Sequence, residues 1–260
     1  MENILDDFAH QNALRHVDAR LKLVLGIGAI IISVSSASPA APLCIAATMA
    51  CITIILAKIP AGLYLRLLAI PFGFAATSGI VLVLLTGGGA HLWEATVLGC
   101  SLSVTAASVN LGLLAVARTF GGMCSLYFIA LTTPMVSLFA VMQTLRLPRE
   151  FIDLSMLVYR FIFVLIGEAI AIQNAQEMRH GYTGFKRSVR SCSMLGAMLF
   201  IRSWEKGEDL LRAMDSRCYD GRLELPRTDT RLSLRGAACV AAYLAACTLI
   251  LIVTADIQVI

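Results

Sequence analysis

Three long stretches of the sequence contain no charged residue, and they predict membrane-spanning helices. These stretches cover residues 23–57, 67–93 and 236–255. Each matches or exceeds the roughly 20 residues that a helix needs to cross a bilayer. The first stretch is long enough for two helices, and its Pro-containing segment 38–42 is typical of a turn between them. The predicted spans are 21–38, 42–57, 67–86 and 236–255.

The stretch 95–145 is also mostly apolar, and the charges on either side of it indicate how often it crosses. Lys and Arg are retained on the cytoplasmic side of a membrane. The basic loop 58–66 is therefore predicted inside, and the loop 87–94, which has no Lys or Arg, is predicted outside. The basic residues from Arg146 onward belong inside again. An odd number of membrane crossings must therefore lie between the outside loop 87–94 and the inside residue Arg146, and one crossing is the simplest solution.

We therefore predict a single long fourth span within 98–134, with a kink at Gly121-Gly122. Arg118 is the only charged residue of the stretch 95–145. An Arg at membrane depth costs at least about 2.5 kcal/mol on insertion scales. We therefore expect its side chain to contact protein and not lipid.

Most of the charge lies between Arg146 and Arg235, which holds 15 of the 21 Lys and Arg residues and 11 of the 17 acidic ones. At 100° per residue, five of the six charged positions of 150–179 (all but Glu177) fall within an arc of about 100°, which predicts an amphipathic helix with one polar stripe. A second amphipathic helix is predicted over 199–217. Such helices are better suited to lie against a membrane domain or a partner than to cross lipid.

The predicted fold class is all-α, a polytopic membrane protein with about five transmembrane helices and a cytoplasmic insert of amphipathic coupling helices. Both the N-terminus and the insert are expected inside, and the C-terminus outside. The predicted segments are 1–134 for the N-terminal membrane helices, 135–235 for the coupling-helix region and 236–260 for the last membrane helix.

Composition excludes several classes of function. The chain is 58% hydrophobic and 15% charged, whereas soluble domains carry about 25% charged residues. The predicted spans contain no Asp or Glu and no His, which argues against an ion pathway through this chain alone. The eight Cys residues include no C-x-x-C spacing, and no hydrolase or nucleotide-binding motif occurs. We therefore expect no catalytic residue, no metal site, no cofactor and no nucleic-acid partner.

Two short segments resemble each other, and both centre on an arginine. The segments 175–182 and 213–221 each place an Ala one turn before the Arg and an acidic residue two positions before it. An Arg at a helix C-terminus can simply complement the helix dipole, which contributes about 0.3–1 kcal/mol. The repetition favours a second interpretation, in which Arg179 and Arg217 are matched contacts presented to a partner.

Several further motifs occur in a fixed order along the chain. They are Asp18-Ala19-Arg20-Leu21-Lys22, Leu131-Thr132-Thr133-Pro134, Leu147-Pro148, Tyr159-Arg160-Phe161 with Glu168, and finally Met178-Arg179-His180 and Ser216-Arg217-Cys218. In this order they resemble the transmembrane (T) component of energy-coupling-factor transporters, and within it the CbiQ branch associated with cobalt uptake. The family's arginine motifs are usually Ala-Arg-Gly-like, so each motif here keeps the Arg and changes both neighbours.

The resemblance implies a scaffold subunit and not an enzyme. Such a subunit joins two cytoplasmic ABC-type ATPase subunits to a separate substrate-binding membrane (S) subunit in a bacterial or archaeal plasma membrane, with room for a small accessory membrane subunit. Arg179 and Arg217 would contact the ATPase subunits. The residues implied to support the coupling helices are Arg160, Glu168, Ala175 and Ala213.

Two alternatives stay open at this point. The same scaffold could serve nickel, biotin or another vitamin, because another chain selects the cargo. A different class of protein, a polytopic membrane enzyme, would need a cluster of acidic or His residues at membrane depth.

Overall fold

The computed structural model describes residues 12–14, 17–85, 91–97, 100–144, 147–221 and 233–254. These residues form an all-α fold with one short antiparallel hairpin, which agrees with the predicted fold class. The elements are α1 (Ala19–Ser35), α2 (Ala40–Cys51) continued by a π-helical turn (Ile52–Leu56), α3 (Ala61–Leu85), β1 (His91–Val97), β2 (Cys100–Thr105), α4 (Ala106–Thr132), α5 (Met135–Thr144), α6 (Arg149–Met178), α7 (Phe185–Asp215) and α8 (Leu234–Val253).

Local sequence explains where several of these helices begin. The Asp18 side chain accepts a hydrogen bond of 2.9 Å from the Arg20 backbone N–H and so caps the start of α1. Thr105 and Ser108 form a reciprocal capping box at the start of α4. Pro148 directly precedes α6, where its missing N–H and fixed φ do no harm.

The chain divides into two compact units. The first, here called the membrane unit, comprises Met1–Leu138 and Thr228–Ile260, and the second, the hairpin unit, comprises Phe139–Arg227. In the membrane unit α4 is the central helix, and α1, α2 and α3 all pack against it. Helix α8 packs against α1 and α2. Buried residues at these contacts include Ile45, Met49, Tyr64, Cys124, Phe128 and Leu131.

Small residues allow these helices to approach closely. A Cβ added to Gly112 on α4 would lie 3.0 Å from the Gly79 carbonyl oxygen on α3. A Cβ on Gly121 would collide with the Ser33 hydroxyl of α1 and lie 3.0 Å from the Pro42 carbonyl oxygen. Helix α4 runs without a break through Gly121-Gly122, and at Gly121 the missing side chain serves close packing. The kink expected there stays a prediction.

Arg118 contacts protein, as expected. Its guanidinium donates hydrogen bonds of 3.0 Å (Nε) and 2.6 Å (Nη2) to the Ser36 carbonyl oxygen at the end of α1. The side chain is half-buried. The carbonyl at the end of a helix has no partner within that helix, so this contact satisfies both the cation and the helix end.

Other predicted boundaries need correction. The loop 58–66 is too long, because α3 begins at Ala61 and therefore includes Arg66. Residues 91–94, predicted to lie in a loop, belong to β1, which pairs antiparallel with β2. Strand β2 occupies residues predicted to begin the fourth span. The rest of the predicted loop 87–94 lies outside the described residues. The fourth span is therefore shorter than 98–134.

The second amphipathic helix was also predicted too short. Helix α7 begins at Phe185 and has 31 residues, whereas the prediction began at 199. The additional residues include Ser188 and Ser191, whose side chains donate hydrogen bonds to the Tyr182 and Gly181 carbonyl oxygens. These contacts with the preceding loop stabilise the first turns of the helix, and the hydrophobic pattern alone does not reveal them.

Four described helices are long and apolar enough to cross a membrane. They are Ala61–Leu84, Ala107–Thr132, Arg149–Met178 and Leu234–Val253, and two shorter apolar helices are Ala40–Leu56 and Met135–Thr144. Length and composition alone thus admit α6 as a span, although the sequence predicted it to be amphipathic. The count of five crossings stays a prediction.

Candidate coupling site

Helices α6 and α7 form an antiparallel hairpin that carries both arginine motifs. Near the connecting loop, the Gln176 side-chain amide donates a hydrogen bond of 3.1 Å to the Ser191 carbonyl oxygen. Further along, the Glu168 carboxylate pairs with Arg202 and, at 3.1 Å, with Lys206. Farther still, apolar side chains of both helices line a groove of about 480 Å³ that includes Leu154, Phe161, Trp204 and Leu211.

The first arginine lies where α6 ends at the connecting loop. Arg179 is followed by His180, whose backbone φ of 55° lies in the left-handed region. The His180 N–H donates to the Glu177 carbonyl oxygen at 2.9 Å, and the Gly181 N–H donates to the Gln176 carbonyl oxygen at 2.8 Å. These two bonds define a Schellman motif, which satisfies carbonyl groups left open at a helix C-terminus.

The second arginine lies at the end of α7 in the same geometry. Arg217 precedes Cys218, whose φ is 58°. The Cys218 N–H donates to the Asp215 carbonyl oxygen at 3.0 Å, and the Tyr219 N–H donates to the Met214 carbonyl oxygen at 3.1 Å. The sequence resemblance between the two motifs is therefore also a structural repeat. We call these two helix ends the first and second arginine corners.

Both arginine side chains are exposed, and each has a small neighbour one turn earlier. Ala175 and Ala213, four residues before Arg179 and Arg217, are exposed as well. Residues four apart lie on the same helix face, so the Ala leaves that side of each guanidinium open to a partner.

The predicted supporting residues on α6 have different surroundings. Glu168 joins α6 to α7 through its two cationic partners. Arg160 is exposed on α6, eight residues before Glu168 and about 12 Å away along the axis. Its supporting role, like the partner contacts of both arginines, stays a prediction.

A hydrogen-bonded cluster holds the first corner against α7, and sequence analysis did not identify it. The Ser191 hydroxyl donates to the Gly181 carbonyl oxygen at 2.8 Å, and the Tyr182 hydroxyl donates to the Gln176 side-chain oxygen at 2.7 Å. A Cβ on Gly181 would lie 2.7 Å from the Ser191 hydroxyl oxygen and 2.9 Å from the Gln176 carbonyl oxygen. The Tyr and Gly that follow Arg179 belong to the repeated sequence pattern, whereas Ser191, the partner of Gly181, lies outside that pattern.

Two other motifs, predicted separately, meet in the membrane unit. The Lys22 ammonium donates a hydrogen bond of 2.7 Å to the Thr132 carbonyl oxygen. The Asn12 side-chain amide also donates to this oxygen, at 3.2 Å, and to the Leu131 carbonyl oxygen at 3.3 Å. Asn12, Asp18 and Lys22 are buried. The N-terminal motif thus closes the end of α4, directly before Thr133-Pro134.

Within the described ranges, no group of three or more His, Cys, Asp or Glu residues is placed to hold a metal ion.

Comparison with known proteins adds independent information. The family model for CbiQ, described as cobalt transport protein, matches residues 10–228, which include both arginine corners. The chain is 50% identical over 245 residues to a putative fused cobalt transport protein, CbiMQ, of Methanocorpusculum labreanum. That match covers 94% of this chain and 41% of the relative, so the chain spans less than half of the fused protein.

Two further relatives match over most of their own length. An uncharacterized protein of Methanocaldococcus jannaschii, MJ1089, is 38% identical, with 93% of this chain and 90% of the relative covered. The cobalt transport protein CbiQ of Salmonella typhimurium is 25% identical, with 85% of this chain and 99% of the relative covered.

Proposed function

This chain belongs to the CbiQ family of cobalt transport proteins, and we propose that it is the transmembrane scaffold subunit of an energy-coupling-factor transporter. In this proposal it has no catalytic activity of its own. It couples ATP hydrolysis by two separate cytoplasmic ABC-type ATPase subunits to cobalt uptake through a separate substrate-binding membrane subunit. The family and the apolar helices make it a multi-pass membrane protein, and the plasma membrane is the proposed location.

The geometry shared by the two arginine corners is the observation that carries the proposal. Each corner presents an exposed Arg on a helix end with the same pair of closing hydrogen bonds. The two corners lie at opposite ends of α7, whose 31 residues extend about 46 Å at 1.5 Å per residue. Two equivalent contacts at such a separation suit two copies of one partner, as a pair of ATPase subunits provides.

The guanidinium group suits this role chemically. It offers five N–H donors in a planar fork that matches carboxylates and carbonyl oxygens in a partner groove. Because both arginines are exposed in this chain alone, their donors are available to such a groove.

The proposed position of the hairpin unit is the cytoplasmic side of the membrane. Helix α6 is apolar enough to span a bilayer, but its Glu168 is paired with two cations of α7. Helix α7 is strongly amphipathic and carries charges along its length. Burying this set of charges in hydrocarbon would be costly, so we place α6 with α7 outside the hydrocarbon core.

The fused relative supports a separate membrane partner for this chain. Its name joins an M and a Q component, and this chain matches 41% of its length. The remaining length leaves room for the M component. We propose that this chain works with such a component as a separate subunit.

Substitution of the two arginines tests the proposal. We expect Arg179→Ala or Arg217→Ala to leave membrane insertion intact and to reduce the amount of co-purified ATPase subunit, the rate of cobalt uptake, or both. Truncating one partner of a buried charged contact typically costs about 2–5 kcal/mol, so the double variant should nearly abolish uptake. Lys at either position should restore function only in part, because it keeps the positive charge but lacks the planar set of N–H donors of the guanidinium group.

Arg149→Ala is the control. Arg149 is exposed at the start of α6, at the opposite end of that helix from the first corner. It should leave ATPase binding and uptake near wild-type levels. Wild-type ATPase binding and uptake in the Arg179→Ala/Arg217→Ala variant would show that both arginines only complement their helix ends.

A further inference from the structure

The two arginine corners lie in surroundings of opposite charge. Residues 177–192, around the first corner, include four Lys or Arg residues and one acidic residue, Glu177. Residues 205–221, around the second corner, include three Lys or Arg residues and five acidic residues. The cations of the first corner are Arg179, Lys186, Arg187 and Arg190, all of them exposed.

The three cations of α7 at the first corner share one face of the helix. At 100° per residue, Lys186, Arg187 and Arg190 lie within an arc of about 100°. Among the ion pairs formed between described residues, none involves these three side chains or Arg179. Arg187 makes one hydrogen bond, to the Thr183 hydroxyl. The face is therefore an exposed basic surface of the hairpin unit.

This charge pattern does not serve the stability of α7. The N-terminus of a helix favours anions and its C-terminus favours cations, by about 0.3–1 kcal/mol for each charge. Helix α7 has no acidic residue in its first turn, where Lys186 and Arg187 lie, and its last turn contains Arg212 as well as Asp215. The cations at the start of the helix oppose the dipole, so a contact outside the helix is the better explanation for the basic surface.

We propose that the first corner binds an acidic surface of one ATPase subunit and is the tighter of the two ATPase contacts. The proposal rests on the function proposed above. Both corners offer an Arg, so the groove that receives them must supply carboxylates or carbonyl oxygens and is electronegative. Two copies of one ATPase present the same groove. The basic surface strengthens the electrostatic attraction of the first corner to this groove, and the acidic residues weaken that of the second corner.

The consequence is an asymmetric assembly built from a symmetric pair of ATPase subunits. The first corner holds one subunit throughout the cycle, while the second corner releases and rebinds its subunit more readily. The affinity at the first corner should fall steeply with salt, because exposed charges separated by more than about 10 Å are largely screened at 0.1 M ionic strength.

The test is a titration of purified ABC-type ATPase from the same genome against this chain in nanodiscs of neutral phosphatidylcholine, at several KCl concentrations. The basic-surface variant carries Lys186→Gln, Arg187→Gln and Arg190→Gln. We expect its ATPase affinity at low salt to fall about tenfold or more, with a weaker dependence on salt. Both arginines remain in place, and the changed side chains are exposed, so the fold should persist.

The matched variant neutralises three exposed acidic residues near the second corner, with Glu205→Gln, Asp209→Asn and Asp215→Asn. It should bind the ATPase more tightly than the wild type. Weaker binding would mean that the second corner meets a basic surface and would overturn the proposal. The proposal would also be overturned if the basic-surface variant kept wild-type affinity for the ATPase while Arg179→Ala weakened binding in the same titration. In that case the proposed scaffold function would still stand.

Two further outcomes separate the proposal from its premises. If neutralising the basic surface changes only the binding of vesicles that contain phosphatidylglycerol, and not the binding of the ATPase, this surface contacts anionic lipid and the proposal is wrong. If the wild-type chain binds no ATPase at any salt concentration, the proposed scaffold function itself fails.

Discussion

The Lys22 ammonium at the start of α1 donates a hydrogen bond to the Thr132 carbonyl oxygen at the end of α4. Arg118 of α4 makes the reciprocal contact with the Ser36 carbonyl oxygen at the end of α1. In both helices the cation and the capped carbonyl are 14 residues apart, which corresponds to about 21 Å. Each of the two helices thus closes the C-terminus of the other with a cation.

This arrangement explains how two cations are accommodated in a largely apolar unit. A helix C-terminus carries unpaired carbonyl groups and about half a negative charge. In hydrocarbon, where water cannot satisfy these groups, an unpaired carbonyl costs several kcal/mol. A Lys or Arg of the neighbouring helix removes this cost and, at the same time, fixes the register of α1 against α4.

The first prediction concerns Arg118. Arg118→Met keeps an unbranched side chain and removes both hydrogen bonds to the Ser36 carbonyl oxygen. Hydrogen bonds of charged groups contribute about 1.5–3 kcal/mol, so the free energy of unfolding should fall by about that amount. Thermal unfolding in mild detergent, followed by circular dichroism, measures the change. Arg66→Met, at an exposed position of α3, is the control, and equal stability of the two variants would contradict the capping role.

The second prediction concerns the left-handed residues of the two corners. His180 and Cys218 have φ of 55° and 58°, where a side chain costs about 1–2 kcal/mol. Glycine avoids this cost but gains freedom in the unfolded chain. We therefore expect His180→Gly and Cys218→Gly each to raise the free energy of unfolding by about 0.5–1 kcal/mol.

A matched change in the opposite direction tests the same reasoning. Gly184 has a φ of 91°, and a Cβ added there would meet no atom within 4 Å. Gly184→Ala should therefore destabilise the protein through backbone strain alone. If the two glycine substitutions destabilise the protein as well, the side chains of His180 and Cys218 make contacts that outweigh their backbone strain.

The sequence predicted most of the helices because long uncharged runs have few other structural solutions. Spans 21–38 and 236–255 correspond to α1 and α8 within three residues. The β-hairpin was not predicted, because the first residues of β1 were assigned to the loop 87–94 and the rest of the hairpin to the apolar run of 95–145. The capping of the two helix ends by Lys22 and Arg118 was not predicted either, because each side chain donates to a backbone carbonyl oxygen more than 80 residues away in the sequence.

The candidate site was predicted in part for a similar reason. The two arginines stand out because the pattern around them is local and repeated. The contact between Gly181 and Ser191 depends on the packing of α6 against α7, and no pattern within either helix contains it. Glu168 was identified through its position in a charged stripe, whereas its two partners on α7 emerge only from the hairpin geometry.

The third prediction concerns Glu168 and pH. Hydrogen bonds from Lys206 and Arg202 hold the pKa of the Glu168 carboxyl below its usual value of 4.5. A carboxyl with a lowered pKa stabilises the folded state above its unfolded pKa, and this contribution is lost as the pH falls through the folded pKa. The contact should therefore persist at neutral pH and weaken below about pH 4.5.

Hydrogen exchange of the α6 and α7 backbone around this contact provides the measurement. At pH 7, Glu168→Gln should exchange faster than the wild type there, and at pH 3 the difference should shrink. Glu150→Gln, at an exposed position near the start of α6, is the control and should match the wild type at both values. A difference that stays constant between pH 7 and pH 3 would rule out the ionised pair as its source.

The fourth prediction concerns Gly181, which connects the first arginine corner to α7. The Cβ of Gly181→Ala would come too close to both the Ser191 hydroxyl and the Gln176 carbonyl oxygen. Relief requires the corner to shift, and overpacking of this kind typically costs about 1–3 kcal/mol. We expect lower thermal stability and, because Arg179 moves with the corner, less co-purified ATPase subunit.

Two further variants make this prediction specific. Gly196→Ala, at a position of α7 where a Cβ would meet nothing within 4 Å, should leave stability and ATPase binding unchanged or slightly improved. Adding Ser191→Ala to Gly181→Ala should restore only part of the loss, since the Gln176 carbonyl oxygen belongs to the backbone and stays in place. Full restoration would mean that the hydroxyl alone limits the corner. Wild-type behaviour of Gly181→Ala itself would show that the first corner tolerates movement without losing its contact with the ATPase.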